Sequence, residues 1–430
     1  MDAIQIYGGN CLKGQVKIQG SKNAALPILA AALLINGVCE IENCPMISDV
    51  YHMLRLMESL CCTIDRDGHT IRVDASAVSR CDMPSDSVCV MRSSIMLLGA
   101  LLARTGSVSM QYPGGCVIGK RPIDLHLQGL RRMGVVIQER EDGFDAETKE
   151  LTGAIHRLPF VSVGATENLI LASVLAKGDT VIQNAAQEPE ITALCGFLQK
   201  AGADIEGAGT KTLRIRGVEK LHEVTYRVPA DRIVAGTYLA ACLCCGGEIF
   251  LKEAPCMQMK AVSAAASSMG AEIGESEEGL FAACRERRVM PPGLVTECYP
   301  GFPTDLQSAF LAAMTLADGE GVLEETIFEN RFRIVPQLQQ MGAKIQCQNN
   351  RVCVSGVERL HGTNLVAEEL RGGAALVLAG SAAEGRSVIK NCHFIERGYE
   401  DICQDMCSLG VKCEVRKEFL SQPKALTKKF

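Results

Sequence analysis

The sequence predicts a mixed α/β fold assembled from six copies of one small module. Two observations carry this. The end of a helix recurs six times, at Leu60-Cys61-Cys62, Met133-Gly134-Val135, Ala201-Gly202-Ala203, Met269-Gly270-Ala271, Met341-Gly342-Ala343 and Leu409-Gly410-Val411. The middle residues follow one another at offsets of 73, 68, 68, 72 and 68, a regularity that marks a repeat architecture. Within each copy an earlier glycine closes a first apolar helix, at Gly37, Gly106, Gly178, Gly247, Gly319 and Gly385.

Each module reads in the same order. A first, apolar helix ends at its glycine, a short strand follows, and an Asn- or Pro-marked turn leads to a second helix. The strand segments, such as Thr180-Val181-Ile182 and Glu248-Ile249-Phe250, are β-branched or aromatic, as half-buried strands require. Both glycines fall just past a helix, where a left-handed cap costs glycine little. Cys61 takes that place in the first module, so the spacing predicts a different helix end there. One module alone cannot bury its apolar faces. Six are compatible with a single ring or with two clusters of three.

Composition narrows the class. Of 430 residues, 47% are hydrophobic and 22% charged, which suits a globular chain with a sizeable core. The net charge of −6 gives no general attraction to nucleic acid or anionic membrane. With no tryptophan and 4% aromatics, an aromatic platform for single-stranded nucleic acid is not expected. Met1 to Ile6 lacks a secretory pattern, and the longest apolar run, Ala24 to Ile35, is too short to cross a bilayer. A cytoplasmic location is expected. The 21 cysteines are an odd number and are expected to be mostly free, buried and apolar. The C-x-x-C at Cys242–Cys245 has no second pair at zinc spacing, so no metal is expected. Gly202 and Gly207 have P-loop spacing, but Ala208 stands where lysine is needed, and Gly207-Ala208-Gly209 lacks a dinucleotide fingerprint; both read as turns.

The chemistry-bearing candidates stand out against the repeat. Glycine-to-glycine spacing within a module is about 24, but 28 from Gly106 to Gly134. The extra residues surround Tyr112-Pro113-Gly114-Gly115-Cys116-Val117-Ile118-Gly119-Lys120-Arg121-Pro122, a functional-loop pattern. Cations behind Cys116 favour its thiolate and so raise its reactivity. Ser21 reads as an N-cap with Lys22 and Asn23 after it, a place that attracts phosphate or carboxylate. Arg92 and Arg371 match Lys22 at the start of their modules' first helices, and Arg331 and Arg397 recur where other modules are small or apolar. Packed alike, these modules would line one electropositive pocket. Asp305 occupies the same helix-start position, as either a dipole partner or a base.

These motifs together resemble the enolpyruvyl transferase family, from about Ile4 to Val415. The most specific are Gly20-Ser21-Lys22-Asn23-Ala24-Ala25-Leu26-Pro27, Pro113-Gly114-Gly115-Cys116-x-Ile118-Gly119-x-Arg121-Pro122-x-Asp124-Leu125-His126, Phe302-Pro303-Thr304-Asp305 and Glu329-Asn330-Arg331-Phe332. The cysteine loop is similar to that of the branch acting on UDP-N-acetylglucosamine. The resemblance implies two inside-out α/β barrel domains of three modules each, helices inside and sheets outside, with the site in the cleft. Residues 22–229 would form one domain, and 1–21 with 230–430 the other.

The resemblance further implies that enolpyruvyl passes from phosphoenolpyruvate to the sugar 3′-hydroxyl with release of phosphate, early in peptidoglycan precursor synthesis and without a cofactor. Its anionic donor calls for several guanidinium forks, and protonating the methylene carbon while a hydroxyl attacks needs an acid and a base on separate groups. Cys116 would be the proton donor and the site of a pyruvate-phosphate thioketal adduct. Lys22, Arg121 and Arg397 would hold phosphate, with Asn23, Arg331 and Arg371 beside them. Arg92, Arg121, Pro122, Ile123, Asp124, Leu125, Val161, Ser162, Val163, Gly164, Asp305 and Ile327 would meet the UDP-sugar. Arginines near Asp305 should lower its pKa and weaken it as a base. Phe160 and Gly372-Gly373 depart from the family pattern. A silent nucleotide-sugar-binding relative and a transferase with another acceptor remain the alternatives.

Overall fold

A computed structural model describes residues 2–79, 92–114, 119 and 122–417. The first helices of the modules are α1 (Lys22–Ala32), α3 (Met96–Thr105), α5 (Val163–Ser173), α7 (Arg232–Cys245), α9 (Gln307–Met314) and α11 (Leu370–Ala382). The second helices are α2 (Ser48–Ser59), α4 (Asp124–Arg132), α6 (Pro189–Lys200), α8 (Lys260–Ser268), α10 (Val335–Gln340) and α12 (Ile402–Ser408).

The first helices lie inside. In α1 only Asn23 escapes burial, and α7 buries twelve residues from Ile233 to Cys244 without a break. A helix apolar on every side must be enclosed by protein. The strands lie outside and alternate, as in Thr212–Arg216, where Leu213 and Ile215 face inward.

Six sheets and two cores decide the grouping: two domains of three modules. One core runs from Ala24 to Val228, the other from Ile4 to Ile18 and again from Ile233 to Val411. Among the described residues, modules join where the last strand of one pairs in parallel with the first strand of the next, as Ile155–Arg157 does with Asp179–Gln183, Leu294–Val295 with Glu320–Glu324 and Asn364–Val366 with Arg386–Lys390. In the first domain the third module returns to the first, with Val224–Arg227 beside Val38–Glu42 (Tyr226 opposite Ile41). In the second, the N-terminus closes the ring. Asp2–Tyr7 lies between Arg386–Lys390 and Lys412–Lys417, and Leu12–Lys17 pairs in parallel with Gly247–Lys252.

The chain therefore crosses between domains twice, and the crossings are hydrogen-bonded to each other. Ser21 N donates to the Pro229 carbonyl at 2.8 Å and Asp231 N to the Gln19 carbonyl at 2.9 Å. Asp231 caps two helices at once. Its Oδ1 accepts from Ile233 and Val234 N at the start of α7, and its Oδ2 accepts from Lys22 N at 3.1 Å.

The different end expected at Cys61 is not found. Cys61 takes φ 70, alongside Gly134, Gly202, Gly270, Gly342 and Gly410 at 92 to 104. All six helices finish with the same pair of backbone bonds, here Cys61 N to Glu58 O and Cys62 N to Met57 O at 3.0 Å each. Cysteine bears the left-handed strain because the closing bonds and the burial of Leu60 impose the turn.

The 18 described cysteines are all free, and nine of them are buried, half rather than most. Cys353 is exposed because it falls on the solvent side of its strand, whereas Cys347 shares a face with buried Ile345 and is exposed near the strand's end. Burial pushes the thiols of Cys39, Cys62, Cys195, Cys242 and Cys244 up to about 12, which makes them inert. No helix among the described residues is long and apolar enough to cross a membrane.

Candidate active site at the domain boundary

The start of the first helix proves to be the organising position. Lys22 opens α1, and Arg371 is the second residue of α11. Arg92 opens a 3-10 turn running into α3, and Asp305 sits in the turn Thr304–Leu306 before α9. Val163 and Gly164 open α5, with Ser162 as its N-cap. A cation at a helix N-terminus opposes the helix dipole, so three basic residues there sacrifice local stability for something else. Arg232 opens α7 in the same way and was missed, although the position rule that found Lys22 would have found it.

Two charged clusters result. In the first, Asp49 from the first turn of α2 is 2% exposed and gripped by two cations. Lys22 Nζ donates to its Oδ2 at 2.5 Å, and Arg397 Nε and Nη2 donate to Oδ1 and Oδ2 at 2.9 and 3.3 Å. Burial lowers the Lys22 pKa; Asp49 opposes that, and Arg371 and Arg397 add to it. Burial works to raise the Asp49 pKa, but Lys22 and Arg397 outweigh it and hold the carboxyl ionised.

In the second cluster, Arg331 Nη2 donates to Asp305 Oδ1 at 2.7 Å and Arg371 Nη2 to Oδ2 at 3.3 Å. Both guanidinium groups are nearly enclosed, whereas the Asp305 side chain is 27% exposed. Burial pushes its pKa up, yet Arg371, Arg331, Arg232 and Lys22 together hold it well below the ordinary carboxylate range. Glu369 caps α11, accepting from Arg371 N at 2.8 Å and from Gly372 N, and its Oε2 lies 3.9 Å from Arg331 Nη1. The departure at Gly372-Gly373 has a packing cause. A Cβ on Gly372 would stand 2.6 Å from Glu369 Oε1, and one on Gly373 2.8 Å from Ile395 Cγ1.

Of the cations expected to line an electropositive pocket, Lys22, Arg331, Arg371 and Arg397 are paired with carboxylates. Lys22, Arg232, Arg331, Arg371 and Arg397 meet Asp49, Asp305, Glu190 and Glu369, because buried cations need partners. Arg232 reaches Glu190 Oε2 at 3.5 Å and lies over the Tyr299 ring, while Tyr299 N donates to Glu188 Oε1 at 3.3 Å. Asp49, Asp231, Arg232, Glu188 and Glu190 were not singled out from the sequence. An acid in a first helical turn reads as a dipole partner until its mate, hundreds of residues away, is known.

The remaining candidates fall elsewhere. Arg92 Nη2 donates to the Pro122 carbonyl at 3.4 Å, beside exposed Asp124 and buried Ile123 and Leu125. Val161 to Gly164 are half-buried, with Gly164 against the His126 ring, whose Nδ1 lies 3.0 Å from Asn168 Nδ2. Asn23 is half-buried, Ile327 and Phe160 are exposed, and Ile327 N donates to Glu325 Oε1 at 2.8 Å. Cys116 and Arg121 lie outside the described residues. Gly119 of the same loop has φ 153 and backs onto Glu329 of the second domain, where a Cβ would overlap Glu329 Oε2. A φ in that region favours glycine there.

Known proteins decide the family. The family model for EPSP synthase (3-phosphoshikimate 1-carboxyvinyltransferase) matches residues 6–406. The chain belongs to this family of enolpyruvyl transferases. Among its relatives, UDP-N-acetylglucosamine 1-carboxyvinyltransferase 2 of Caldanaerobacter subterraneus subsp. tengcongensis is 42% identical over 410 residues, spanning 95% of this chain and 98% of its own. UDP-N-acetylglucosamine 1-carboxyvinyltransferase 1 of Symbiobacterium thermophilum is 44% identical over 411 residues, 94% and 93% of the two chains. The solved enolpyruvyl transferase NikO from Streptomyces tendae superposes with a TM-score of 0.87 at 26% identity, over 96% of this chain and 98% of that one. EPSP synthase from Acinetobacter baumannii, at 18% identity and TM-score 0.74 over 97% and 100%, shares the enolpyruvyl transferase fold.

Proposed function

We propose that the chain transfers the enolpyruvyl group of phosphoenolpyruvate to the 3′-hydroxyl of UDP-N-acetylglucosamine, releasing phosphate, as the first committed step of peptidoglycan precursor synthesis in the cytoplasm. One observation carries the reading: an ionised, partly exposed Asp305 lies between Arg331 and Arg371 and feels the charge of Lys22, on a chain whose near full-length relatives bear that activity's name. Residues 22–229 form one domain in this reading, and 1–21 with 230–430 the other.

The reaction is an addition followed by an elimination. The sugar hydroxyl attacks C2 of phosphoenolpyruvate while a proton reaches its methylene carbon, and the adduct then expels phosphate and returns a proton from the new methyl. Cys116 is the proton donor and the residue that forms a thioketal adduct. Lys22 and Arg397, with Arg121, receive the phosphate, and Asn23, Arg331 and Arg371 line the same pocket. Arg92, Pro122 to Leu125, Val161 to Gly164 and Ile327 meet the UDP-sugar. Asp305 is a weak base at rest, since its arginines stabilise the carboxylate, and it accepts the hydroxyl proton only as C–O bond formation makes that proton acidic. Until then it orients the hydroxyl.

Phosphate release from phosphoenolpyruvate tests the reading, with UDP-N-acetylglucosamine and shikimate 3-phosphate offered in parallel. Release with the UDP-sugar alone is expected. Release with shikimate 3-phosphate instead would move the chain to another acceptor, and no release with either would make it a silent relative.

A further inference from the structure

The turn that carries Arg397 is fastened to the other domain by a residue outside the charged clusters. Glu400 Oε1 accepts from Met46 N at 2.6 Å, and its Oε2 lies 3.1 Å from His69 Nε2. Met46 and His69 belong to the first domain, where Cys44 N donates to the His69 carbonyl and ties their two segments together. Glu400 belongs to the second. Its own N donates to Gln19 Oε1 at 3.0 Å, and Gln19 Nε2 donates to the Gly398 carbonyl at 3.3 Å, so the turn is also held to the first chain crossing.

The arrangement is a clasp with two rungs. Met46 and Asp49 stand three residues apart on one side, and Glu400 and Arg397 three apart on the other. Glu400 meets Met46, and Arg397 meets Asp49. The 3-10 turn Cys392–Arg397 packs on α2 between them. Only the second rung touches the charged cluster with Lys22. Arg397 has a long side chain on a short turn at the domain boundary, so its guanidinium is placed only as well as that turn is held. The Glu400 carboxylate can accept two bonds without needing a proton of its own, which suits it to hold a backbone amide and a histidine together.

We infer that Glu400 is a positioning residue: it fixes the Arg397 turn against the first domain and so sets Arg397 beside Lys22 for an anionic group of the substrate. The kinetic part of this rests on the proposed function; the fastening itself does not. Glu400→Ala removes both acceptors, and Glu400→Gln keeps an acceptor for Met46 N. In Glu400→Ala the KM for phosphoenolpyruvate is expected to rise roughly ten- to a hundredfold, with the KM for the UDP-sugar unchanged. Glu400→Gln is expected to restore most of it. A merely structural loss would lower the melting temperature and move both KM values together.

Hydrogen exchange supplies the second readout. Amides of residues 392–400 should exchange faster in Glu400→Ala, and those opening α1 should not. This holds even for a chain that turns over neither acceptor, so failure of the functional reading shows as an inactive wild type with the exchange difference intact. Unchanged exchange at 392–400, or an unchanged donor KM in an active enzyme, overturns the inference.

Discussion

Asp49 and Asp305 are both carboxylates gripped by two cations, and they differ in where those cations come from. Asp49 and Lys22 belong to the first domain and Arg397 to the second. Asp305, Arg331 and Arg371 all belong to the second. The Asp305 cluster is therefore set by the packing of one domain, since α9 and α11 pack against each other in its core. The Arg397 half of the Asp49 cluster exists only while the two domains hold their relative placement. A group that must act as an acid or base gains from fixed geometry, whereas a group that must admit and release an anion gains from a geometry that domain movement can open. The division of labour proposed above follows that contrast, with the base in the rigid cluster and the phosphate at the shared one.

The largest expected effect breaks the rigid side. Asp305→Asn keeps the shape and removes the proton acceptor, so turnover should fall by about 10²–10⁴ while the UDP-sugar still binds by calorimetry. Unchanged turnover would take Asp305 out of the base role. Breaking the shared side should look different. Asp49→Asn leaves buried Lys22 and half-buried Arg397 with a weaker partner, which should cost about 3 kcal/mol in denaturant unfolding and raise the donor KM more than it lowers kcat. Equal loss in kcat from both variants would erase the contrast.

A smaller effect separates the two domains by pH. His156, in the first domain, is buried with neither ring nitrogen partnered, and burial lowers its pKa to about 4. Its unfolded value is about 6.5, so the stability tied to it is complete above that and lost as pH falls through 4. Asp405, in the second domain, is raised to about 6, chiefly by burial, against a hydrogen bond from Tyr238 that lowers it. Its unfolded value is about 3.9, so its contribution is complete below that and lost as pH rises through 6. Going from pH 8 to pH 5, hydrogen exchange should show protection falling in the first domain and rising in the second, by about 1–2 kcal/mol each. Parallel changes in both would refute the assignment. The smallest effect tests the repeat itself. Cys61→Gly relieves a left-handed residue and should stabilise the first domain by about 0.5–1 kcal/mol, read as a shift of the urea midpoint. A loss would mean that the Cys61 side chain contributes more than the strain removes.

The contrast also explains what could be read in advance. Lys22, Arg371 and Asp305 were legible because the repeat defines one position, the start of a first helix, and their charge is anomalous there. The six modules were legible from glycine spacing alone. Their grouping into two rings was not, because it depends on Val224–Arg227 returning to Val38–Glu42 rather than passing to the next module. Asp49 and Glu400 were invisible for a similar reason. Each is an ordinary acid near a helix start, and its meaning lies in a partner 348 or 354 residues away across the domain boundary. Cys61 misled because conformation there is imposed by backbone bonding, which glycine accommodates best but does not monopolise.

The location of bound phosphate tests the division of labour most directly. A crystal of the protein with UDP-N-acetylglucosamine and inorganic phosphate should show the phosphate on Lys22 and Arg397, between the domains, with Asp305 still held by Arg331 and Arg371. Phosphate seated instead on Arg331 and Arg371, with the Lys22–Asp49–Arg397 cluster undisturbed, would contradict it.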